Sequence, residues 1–455
     1  MIPALLAHGI GGVRDLPVPG WLFLYGAALV LVLSFLGLAF LWREPLLDRK
    51  AAGRPAPRWL ERVALSTALR VVAGTVSVLL LLAVFLAALL GTGRAELNLA
   101  PTFVYVTFWL GLVPLSFLLG NVWSALSPWK AVADAVAWAA GRANVRWQPL
   151  AAYPERLGRV PAAVGLLLFA VLELAYVDPA SPRMLAVAIG IYSYATWGGM
   201  LVYGRETWQR NGEGFAVYYG LLARIAPLAV RDGRLVVRWP FSGLAARDDT
   251  PGTLLFVAVM LGSVGFDGFS RMAQWQNLVA DVQDPFVVSR PLLSDLLVTA
   301  TGVAGLLAAV LFVIGVYKAA SWLAAAYAGS PVSLEKPFLL SLVPIALVYA
   351  VAHYFSLLVV QGQFLVPLAS DPLGRGWDLF GTAGVTPTLN VFAPNTIWYV
   401  QVAALVAGHV AGLAVAHDRA ISTFSERGPA LRSQLPMLAL MVLYTVTGLW
   451  LLSQG

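Results

Sequence analysis

The sequence predicts an all-α fold: a polytopic integral membrane bundle of about ten transmembrane helices, with the N-terminus and the C-terminus outside. Of its 455 residues, 59% are hydrophobic and only 12% are charged, and the mean hydropathy is +0.78. A soluble domain usually has about 25% charged residues. So few charges cannot cover a surface that faces water, and we therefore expect lipid to be the main solvent of this chain.

Ten apolar segments recur along the chain, each long enough to cross a hydrocarbon core of about 30 Å. They are Trp21–Trp42, Val71–Leu90, Thr102–Leu119, Pro161–Val177, Leu185–Tyr203, Leu254–Phe269, Leu297–Tyr317, Phe338–Val366, Thr396–Ala416 and Pro436–Leu452. The 16 tryptophans fit the aromatic belts that form at membrane interfaces. Pro114 and Pro344 lie inside the third and eighth segments, where each predicts a kink.

Lysine and arginine are distributed unequally between the two sides of the predicted bundle. With the N-terminus outside, 24 of the 30 basic residues fall on one side, and six fall on the other: Arg14, Arg94, Arg183, Arg271, Arg290 and Arg375. Basic residues accumulate in cytoplasmic loops, so the larger group marks the cytoplasmic side, and we call the opposite side the outer side. The bias also accounts for the net charge of +7, which gives no reason to expect a nucleic-acid partner. The sequence predicts a multi-pass protein of the cytoplasmic membrane, with the lipid bilayer as its partner.

The predicted organisation is one transmembrane domain, residues 21–455, preceded by an outer N-terminal segment, residues 1–20. A cytoplasmic insertion covers residues 204–251. On the outer side, the loops 274–290 and 369–394 are the ones large enough to cover a site. A single domain with few long loops is typical of a protein whose function lies within the membrane.

The cytoplasmic insertion contains two local patterns. An amphipathic stretch at 215–225 predicts a helix that lies along the membrane surface. Further on, two β-rich runs between Leu228 and Arg238 flank Asp232-Gly233, a pair typical of a two-residue hairpin turn. We therefore expect a β-hairpin on the cytoplasmic side.

The first residues of the chain resemble the end of a secretory signal. Met1-Ile-Pro-Ala-Leu-Leu-Ala7 is apolar, and Ala7 fits a cleavage position. Cleavage there would leave His8 as the first residue on the outer side, where its amine and its imidazole could both bind a metal ion. The alternative is a short flexible segment that is not cleaved. Both alternatives remain open.

Ionisable and polar side chains within the predicted membrane segments are costly, so each is a candidate for function. By depth, six of them fall in the outer half of the bundle, with Tyr105 and Tyr354 nearby: Glu173, Asp267, Arg271, His353, Gln361 and Gln363. Asp267 and Arg271 are four residues apart, which places them on one face of a helix. Each residue also has a structural explanation, as an ion pair at a helix end or a hydrogen bond between helices. The chain has no cysteine, which excludes thiolate metal sites and a cysteine nucleophile.

Several strings, spread over essentially the whole chain, resemble one family. They are Ala7-His8-Gly9, Leu16-Pro-Val-Pro-Gly-Trp21, Asn98-Leu-Ala-Pro-Thr-Phe-Val-Tyr105, Ser127-Pro-Trp-Lys130, Gly265-Phe-Asp-Gly-Phe-Ser-Arg271, Ala352-His-Tyr-Phe-Ser356, Ser370-Asp-Pro-Leu-Gly374, Gly408-His-Val-Ala-Gly412 and His417-Asp418. The family consists of actinobacterial and related membrane proteins labelled fenitrothion hydrolase. The resemblance implies hydrolysis of an organophosphate triester with release of a nitrophenol.

Cleavage of a phosphotriester at neutral pH generally needs a metal-activated hydroxide or a strong general base. We therefore predict one divalent transition metal, zinc or copper, bound by His353, Asp267 and His8 on the outer side. Asp267, Glu173 and Arg271 are the predicted catalytic residues. The predicted substrate-binding residues are Gln361, Gln363 and Tyr354.

Two other functions fit the same residues. A transporter or permease for a small molecule or a metal would use the polar residues as its binding site. A structural subunit of a larger membrane complex would need them only for helix contacts. The sequence does not decide between these alternatives, and it does not indicate an oligomeric state.

Overall fold

The computed structural model of the protein describes residues 20–145 and 148–454. His8 and the rest of the predicted outer N-terminal segment up to residue 19 lie outside these ranges. Helices dominate the described residues. This is the expected solution for a chain in lipid, where no water is present to bind the backbone N–H and C=O groups.

The α-helices of the first half are α1 (Gly20–Leu41), α2 (Leu46–Lys50), α3 (Arg58–Ala64), α4 (Thr67–Leu90), α5 (Leu99–Thr102), α6 (Leu112–Leu119), α7 (Trp123–Leu126), α8 (Pro128–Arg142), α9 (Val160–Leu174) and α10 (Pro182–Tyr203). Those of the second half are α11 (Arg205–Asn211), α12 (Gly214–Leu222), α13 (Thr253–Ser270), α14 (Ala273–Gln283), α15 (Pro291–Ala328), α16 (Glu335–Phe338), α17 (Val343–Gln361), α18 (Leu365–Ser370), α19 (Pro394–Thr423) and α20 (Arg427–Gln454). Short 3₁₀ turns cover Ala95–Leu97, Ser242–Leu244, Leu339–Leu342 and Gly362–Phe364, and Phe103–Phe108 is π-helical.

Nine stretches of the described chain are long and apolar enough to cross a membrane. They are Leu24–Leu41, Arg58–Leu90, Leu99–Leu119, Pro182–Tyr203, Thr253–Ser270, Pro291–Ala328, Glu335–Ser370, Asn395–Thr423 and Arg427–Trp450. Each coincides with one of the ten predicted segments, which confirms the all-α polytopic bundle. The remaining segment, predicted at Pro161–Val177, is α9 with only 15 residues, fewer than the roughly 20 that a membrane crossing usually needs.

Helix α9 nevertheless runs beside α13 over its whole length. Immediately before the two helices, the backbone N–H of Arg159 donates to the carbonyl of Pro251, at 2.7 Å. At their other ends, Glu173 of α9 lies within electrostatic range of Asp267 of α13. Two parallel helices that begin together and end together cross the same layer, so we infer that α9 is the tenth crossing.

Pro114 and Pro344, where kinks inside long helices were predicted, lie where one helical segment ends and the next begins. Pro114 is in the first turn of α6, which follows the π-helical segment Phe103–Phe108 and a turn. Pro344 is in the first turn of α17, directly after the 3₁₀ turn Leu339–Leu342. Proline fits this position because the N–H it lacks has no partner there in any case. The third and eighth crossings are therefore interrupted helices.

The predicted β-hairpin is confirmed. Strands β2 (Leu228–Arg231) and β3 (Arg234–Val237) pair antiparallel, and Asp232 and Gly233 turn between them with φ of 49° and 75°. Such left-handed values are those of the two central residues of a type I′ turn. A third strand, β1 (Arg54–Pro55), pairs with β3 on its other edge, so the small sheet joins the segment between α2 and α3 to the insertion.

The prediction of a surface helix at 215–225 is wrong. Helix α12 packs inside the bundle against α9, and the residues from Phe215 to Leu222 are buried except for Ala216 and Gly220, which are half-buried. The carboxylate of Glu213 caps it, accepting the backbone N–H groups of Phe215 (2.9 Å) and Ala216 (2.8 Å). The stretch is apolar on nearly every side, as a helix inside a bundle requires, and a surface helix would need one polar face.

Small residues bring the central helices close together. A Cβ atom added to Gly262 of α13 would lie 2.9 Å from the Cα atom of Val310 in α15. One added to Gly302 of α15 would lie 2.9 Å from the Cα atom of Ala175, just after α9. Without a hydrophobic driving force between helices in lipid, such close backbone contact is a main source of association. The region of α9, α13 and α15 is therefore fixed by backbone contact.

Single-cysteine labelling tests the crossing by α9, because the chain has no native cysteine. Asp178, between α9 and α10, and Glu155, before α9, are both exposed. We expect a membrane-impermeant maleimide, added to intact cells, to label the Asp178→Cys variant but not the Glu155→Cys variant. Inside-out vesicles should give the reverse pattern. Labelling of both positions from the same side would show that α9 does not cross.

Candidate functional site

Asp267 lies at the centre of a hydrogen-bonded group in the predicted outer half of the bundle. Its Oδ1 atom accepts from the Arg271 guanidinium, with Nη2 at 2.8 Å and Nε at 3.3 Å. Its Oδ2 atom is 2.7 Å from Nε2 of His353 and accepts the hydroxyl of Tyr354 at 3.0 Å. Both carboxylate oxygens are therefore engaged, and Asp267 links α13 to α17.

The sequence positions these four side chains in a simple way. Arg271 follows α13 directly, one turn after Asp267, so the two side chains meet on one helical face as predicted. His353 and Tyr354 are neighbours on α17, and their rings meet edge to face with centroids 4.8 Å apart. Asp267 and Tyr354 are only 4% and 3% exposed, so the contact between the two helices is almost fully removed from lipid and water.

Glu173 reaches the same region from α9. It lies within electrostatic range of Asp267 and of the hydroxyls of Tyr354, Tyr105 and Tyr218. Within residues 20–145 and 148–454, no hydrogen bond or ion pair engages its carboxylate. We call Glu173, Asp267, Arg271, His353 and Tyr354 the outer polar cluster. It contains the three predicted catalytic residues, one predicted metal ligand besides Asp267, and one predicted substrate-binding residue.

An irregular backbone segment borders the outer polar cluster. Tyr105 is part of the π-helical stretch Phe103–Phe108, and its hydroxyl donates to the carbonyl of Pro179 at 2.8 Å. π-Helical turns are uncommon and often occur at functional sites. At membrane depth such a backbone is tolerated only inside the protein or along a cavity, which agrees with the half-buried or buried state of this segment.

The two predicted glutamines lie beyond the cluster. Gln361 ends α17, seven residues after Tyr354, which is about 10 Å along a helix. The Gln363 amide is bonded to the backbone: Nε2 donates to the carbonyls of Val359 and Thr388, both at 3.0 Å, and Oε1 accepts from the N–H of Thr388 at 3.1 Å. Gln363 thus fastens the outer loop 369–394 to the end of α17, and substrate binding by either glutamine stays a prediction.

The described residues bring together two of the three predicted metal ligands, and the predicted zinc or copper ion stays a prediction. His353 Nε2 and Asp267 Oδ2, which were predicted to bind a metal, bind each other at 2.7 Å. In the described part of the chain, no three histidine or carboxylate side chains are grouped as metal ligands. His8, the third predicted ligand, lies outside the described residues.

Tyr218 is a member of this region that the sequence did not predict. Tyr218 belongs to α12, whose apolar stretch predicts a surface helix, yet its side chain is 3% exposed and lies within range of Glu173. Its ring also contacts Trp109, with centroids 4.6 Å apart. The signal that could have found it is the even distribution of apolar residues around α12, which indicates burial.

The outer polar cluster combines groups that exchange protons with groups that hold charge. Two carboxyl groups, one imidazole and three nearby phenol hydroxyls lie together where water is scarce. Chains of such acidic and imidazole groups within membrane proteins serve as proton relays. Arg271, whose side chain is 23% exposed, adds a fixed positive charge at the outer edge.

We expect Asp267→Asn to destabilise the protein strongly. The amide keeps the shape of the side chain but removes the charge to which Arg271 and His353 bind. Breaking a buried pair costs about 3–5 kcal/mol, and partial exposure of Arg271 reduces this to about 2–4 kcal/mol. Thermal unfolding of the detergent-purified protein measures the loss, with the exposed Asp281→Asn on α14 as the matched control. Equal midpoints for the two variants would contradict a central role of Asp267.

A comparison of the chain with known proteins gives no further guide to its role. No protein-family model, no curated protein and no solved structure matches it. Its function is therefore inferred from the geometry of its own residues.

Proposed function

We propose that this protein is a transporter that couples the passage of a small molecule through the membrane to the movement of a proton. The observation that carries the proposal is Glu173, a carboxyl group at the end of a transmembrane helix. It lies within electrostatic range of three tyrosine hydroxyls, and no hydrogen bond or ion pair engages it in the described part of the chain. An unpaired charge at such a place is costly. Binding and release of a proton is the reaction available to this side chain.

The surroundings of Glu173 give that proton an effect on structure. Asp267, an acidic residue within electrostatic range of Glu173, joins α13 to α17 through Arg271, His353 and Tyr354. A negative charge on Glu173 opposes the charge of Asp267, and a proton on Glu173 removes that opposition. Protonation of Glu173 on α9 therefore changes the strength of the contact between α13 and α17. Alternating access requires a link of this kind between a coupling site and helix packing.

The proposal includes a proton leak through Glu173 in the absence of the transported molecule, and reconstituted liposomes test that leak. The protein is placed in liposomes that contain a pH-sensitive dye, and a potassium gradient with valinomycin imposes an inward-driving potential. We expect proton entry to be faster than in protein-free liposomes and to fall to the protein-free rate in Glu173→Gln. Glu155→Gln, an exposed position before α9, is the matched control and should keep the wild-type rate. The same rate with wild-type protein, Glu173→Gln and no protein would overturn the proposal.

A second candidate function is hydrolysis of an organophosphate triester, which the resemblance to fenitrothion hydrolase implies. It is favoured by the 2.7 Å contact between Asp267 and His353, because a carboxylate commonly orients a catalytic imidazole. Arg271, beside them, is suited to the negative charge that develops on a phosphoryl oxygen. An apolar triester would reach this site from the lipid.

Release of nitrophenol from fenitrothion by the purified protein tests the second candidate. We expect turnover to be lost in His353→Ala, because the variant lacks the imidazole that Asp267 orients. The control is His409→Ala, since His409 lies on α19 and binds the backbone carbonyl of Leu405 rather than the cluster. Elemental analysis of wild type and His353→Ala belongs to the same experiment: stoichiometric zinc or copper that disappears in the variant would establish a metal site. Absence of turnover in the stable wild-type protein would exclude this activity for fenitrothion.

A further inference from the structure

A second polar region lies at the opposite face of the bundle, on the side rich in basic residues. A cavity of about 260 Å³ opens between the stretch before α8, the residue before α9, and helices α11 and α12. Its polar walls include four basic side chains, one acidic and three neutral ones: Lys130, Arg159, Arg210, Arg224, Glu206, Asn121, Ser124 and Gln209. We call it the basic cavity. It shares no residue with the outer polar cluster.

Two arginines of the basic cavity share one carboxylate. Arg159 Nη1 and Arg224 Nη2 both bind Oδ2 of Asp248, at 2.8 Å and 2.6 Å. Arg159 Nη1 also donates to the hydroxyl of Thr253 at 3.0 Å. One carboxylate balances only one of the two guanidinium charges, so the wall of the cavity keeps an excess positive charge.

Each of these arginines also has a buried nitrogen that is not hydrogen-bonded. In the described part of the chain, Nε of Arg159 and Nη1 of Arg224 are out of contact with solvent and have no hydrogen-bond partner. Arg159 as a whole is only 8% exposed. Buried charged donors without acceptors are costly and rare, and each calls for an acceptor. Both residues line the basic cavity. These two nitrogens lie behind its accessible surface, so a ligand in the cavity meets the exposed parts of the two side chains, 10% of Arg159 and 26% of Arg224.

The other charged groups at the cavity are already paired or at its rim. Lys130 binds Asp134 at 2.7 Å and Glu206 at 3.5 Å, and the Glu206 side chain is 73% exposed. Burial alone would raise the pKa of Asp248, but the two arginines outweigh it and hold that pKa below its usual value. Asp248 is therefore negatively charged at neutral pH. It balances one of the two positive charges of Arg159 and Arg224, and one positive charge remains.

We propose that the basic cavity binds a phosphate group, held by Arg159 and Arg224. Arginine matches phosphate oxygens with its planar set of N–H donors. The two guanidinium groups come from different segments of the chain and converge at Asp248. A tetrahedral phosphate presents more oxygens to such a pair than a planar carboxylate does. The phosphate belongs either to the headgroup of an anionic lipid or to a soluble molecule. The inference does not rest on proton-coupled transport or on hydrolysis at the outer polar cluster.

The experiment measures thermal unfolding of the protein in phosphatidylcholine nanodiscs. Inorganic phosphate is added at constant ionic strength with chloride as the balancing anion, and in a parallel series phosphatidic acid is added to the nanodiscs. We expect the midpoint to rise with each tenfold increase in at least one of the two probes, because a ligand of the folded state stabilises it. A rise with inorganic phosphate assigns a soluble source. A rise with phosphatidic acid alone assigns a lipid headgroup.

Two variants assign the effect to the cavity. Arg224→Gln should lose the rise, while Arg231→Gln on the exposed strand β2 should keep it. If Arg224→Gln fails to fold, Gly220→Leu replaces it. Gly220 lines the cavity, and a Cβ added there meets no atom within 4 Å, so leucine fills the cavity and leaves both arginines in place. Its control is Gly141→Leu on the exposed end of α8, where a Cβ likewise has open space.

The proposal is overturned by either of two results. One is a wild-type midpoint that responds to neither probe over a thousandfold range. The other is a rise of the same size in wild type and in the folded Arg224→Gln or Gly220→Leu variant, which would place binding elsewhere. A rise that is lost in these variants and kept in Arg231→Gln and Gly141→Leu supports the proposal.

Discussion

The absence of water in the bilayer core is the constraint on which this structure depends. It requires the backbone to satisfy its own hydrogen bonds, and helices do so within one segment. It also requires polar side chains to find partners inside the protein. Asp267 meets this requirement with bonds to both of its oxygens from Arg271, His353 and Tyr354. The irregular π-helical stretch Phe103–Phe108 is half-buried or buried in the bundle, where it contacts α5 and α17.

The short helix α9 connects the two polar regions of the bundle. Arg159 immediately precedes it and belongs to the basic cavity, and Glu173 near its end belongs to the outer polar cluster. A helix of 15 residues is about 22 Å long, less than the usual thickness of the hydrocarbon core. The distance along α9 between the two regions is therefore shorter than the hydrocarbon core.

The features that sequence could predict are those that depend on neighbours along the chain. The pairing of Asp267 with Arg271 follows from a spacing of four, and the hairpin follows from Asp232-Gly233. The contact of Asp267 with His353 joins residues 86 positions apart, and depth in the membrane predicts only that they share a layer. The burial of Tyr218 was missed for another reason: the even distribution of apolar residues around α12 indicates an interior helix, and the segment was interpreted as amphipathic instead.

The close contacts of Gly262 and Gly302 set the pattern of mutational tolerance in this protein. Every missense change of a glycine adds at least one carbon atom, and at these two positions that atom has no room. Lipid-facing leucines and valines, such as Leu79 and Val187, are exposed and can exchange for other apolar residues with little effect. Natural variation in such a chain is therefore expected to accumulate on the lipid-facing surface, while the smallest residues of the interior vary least, although they take part in no chemistry.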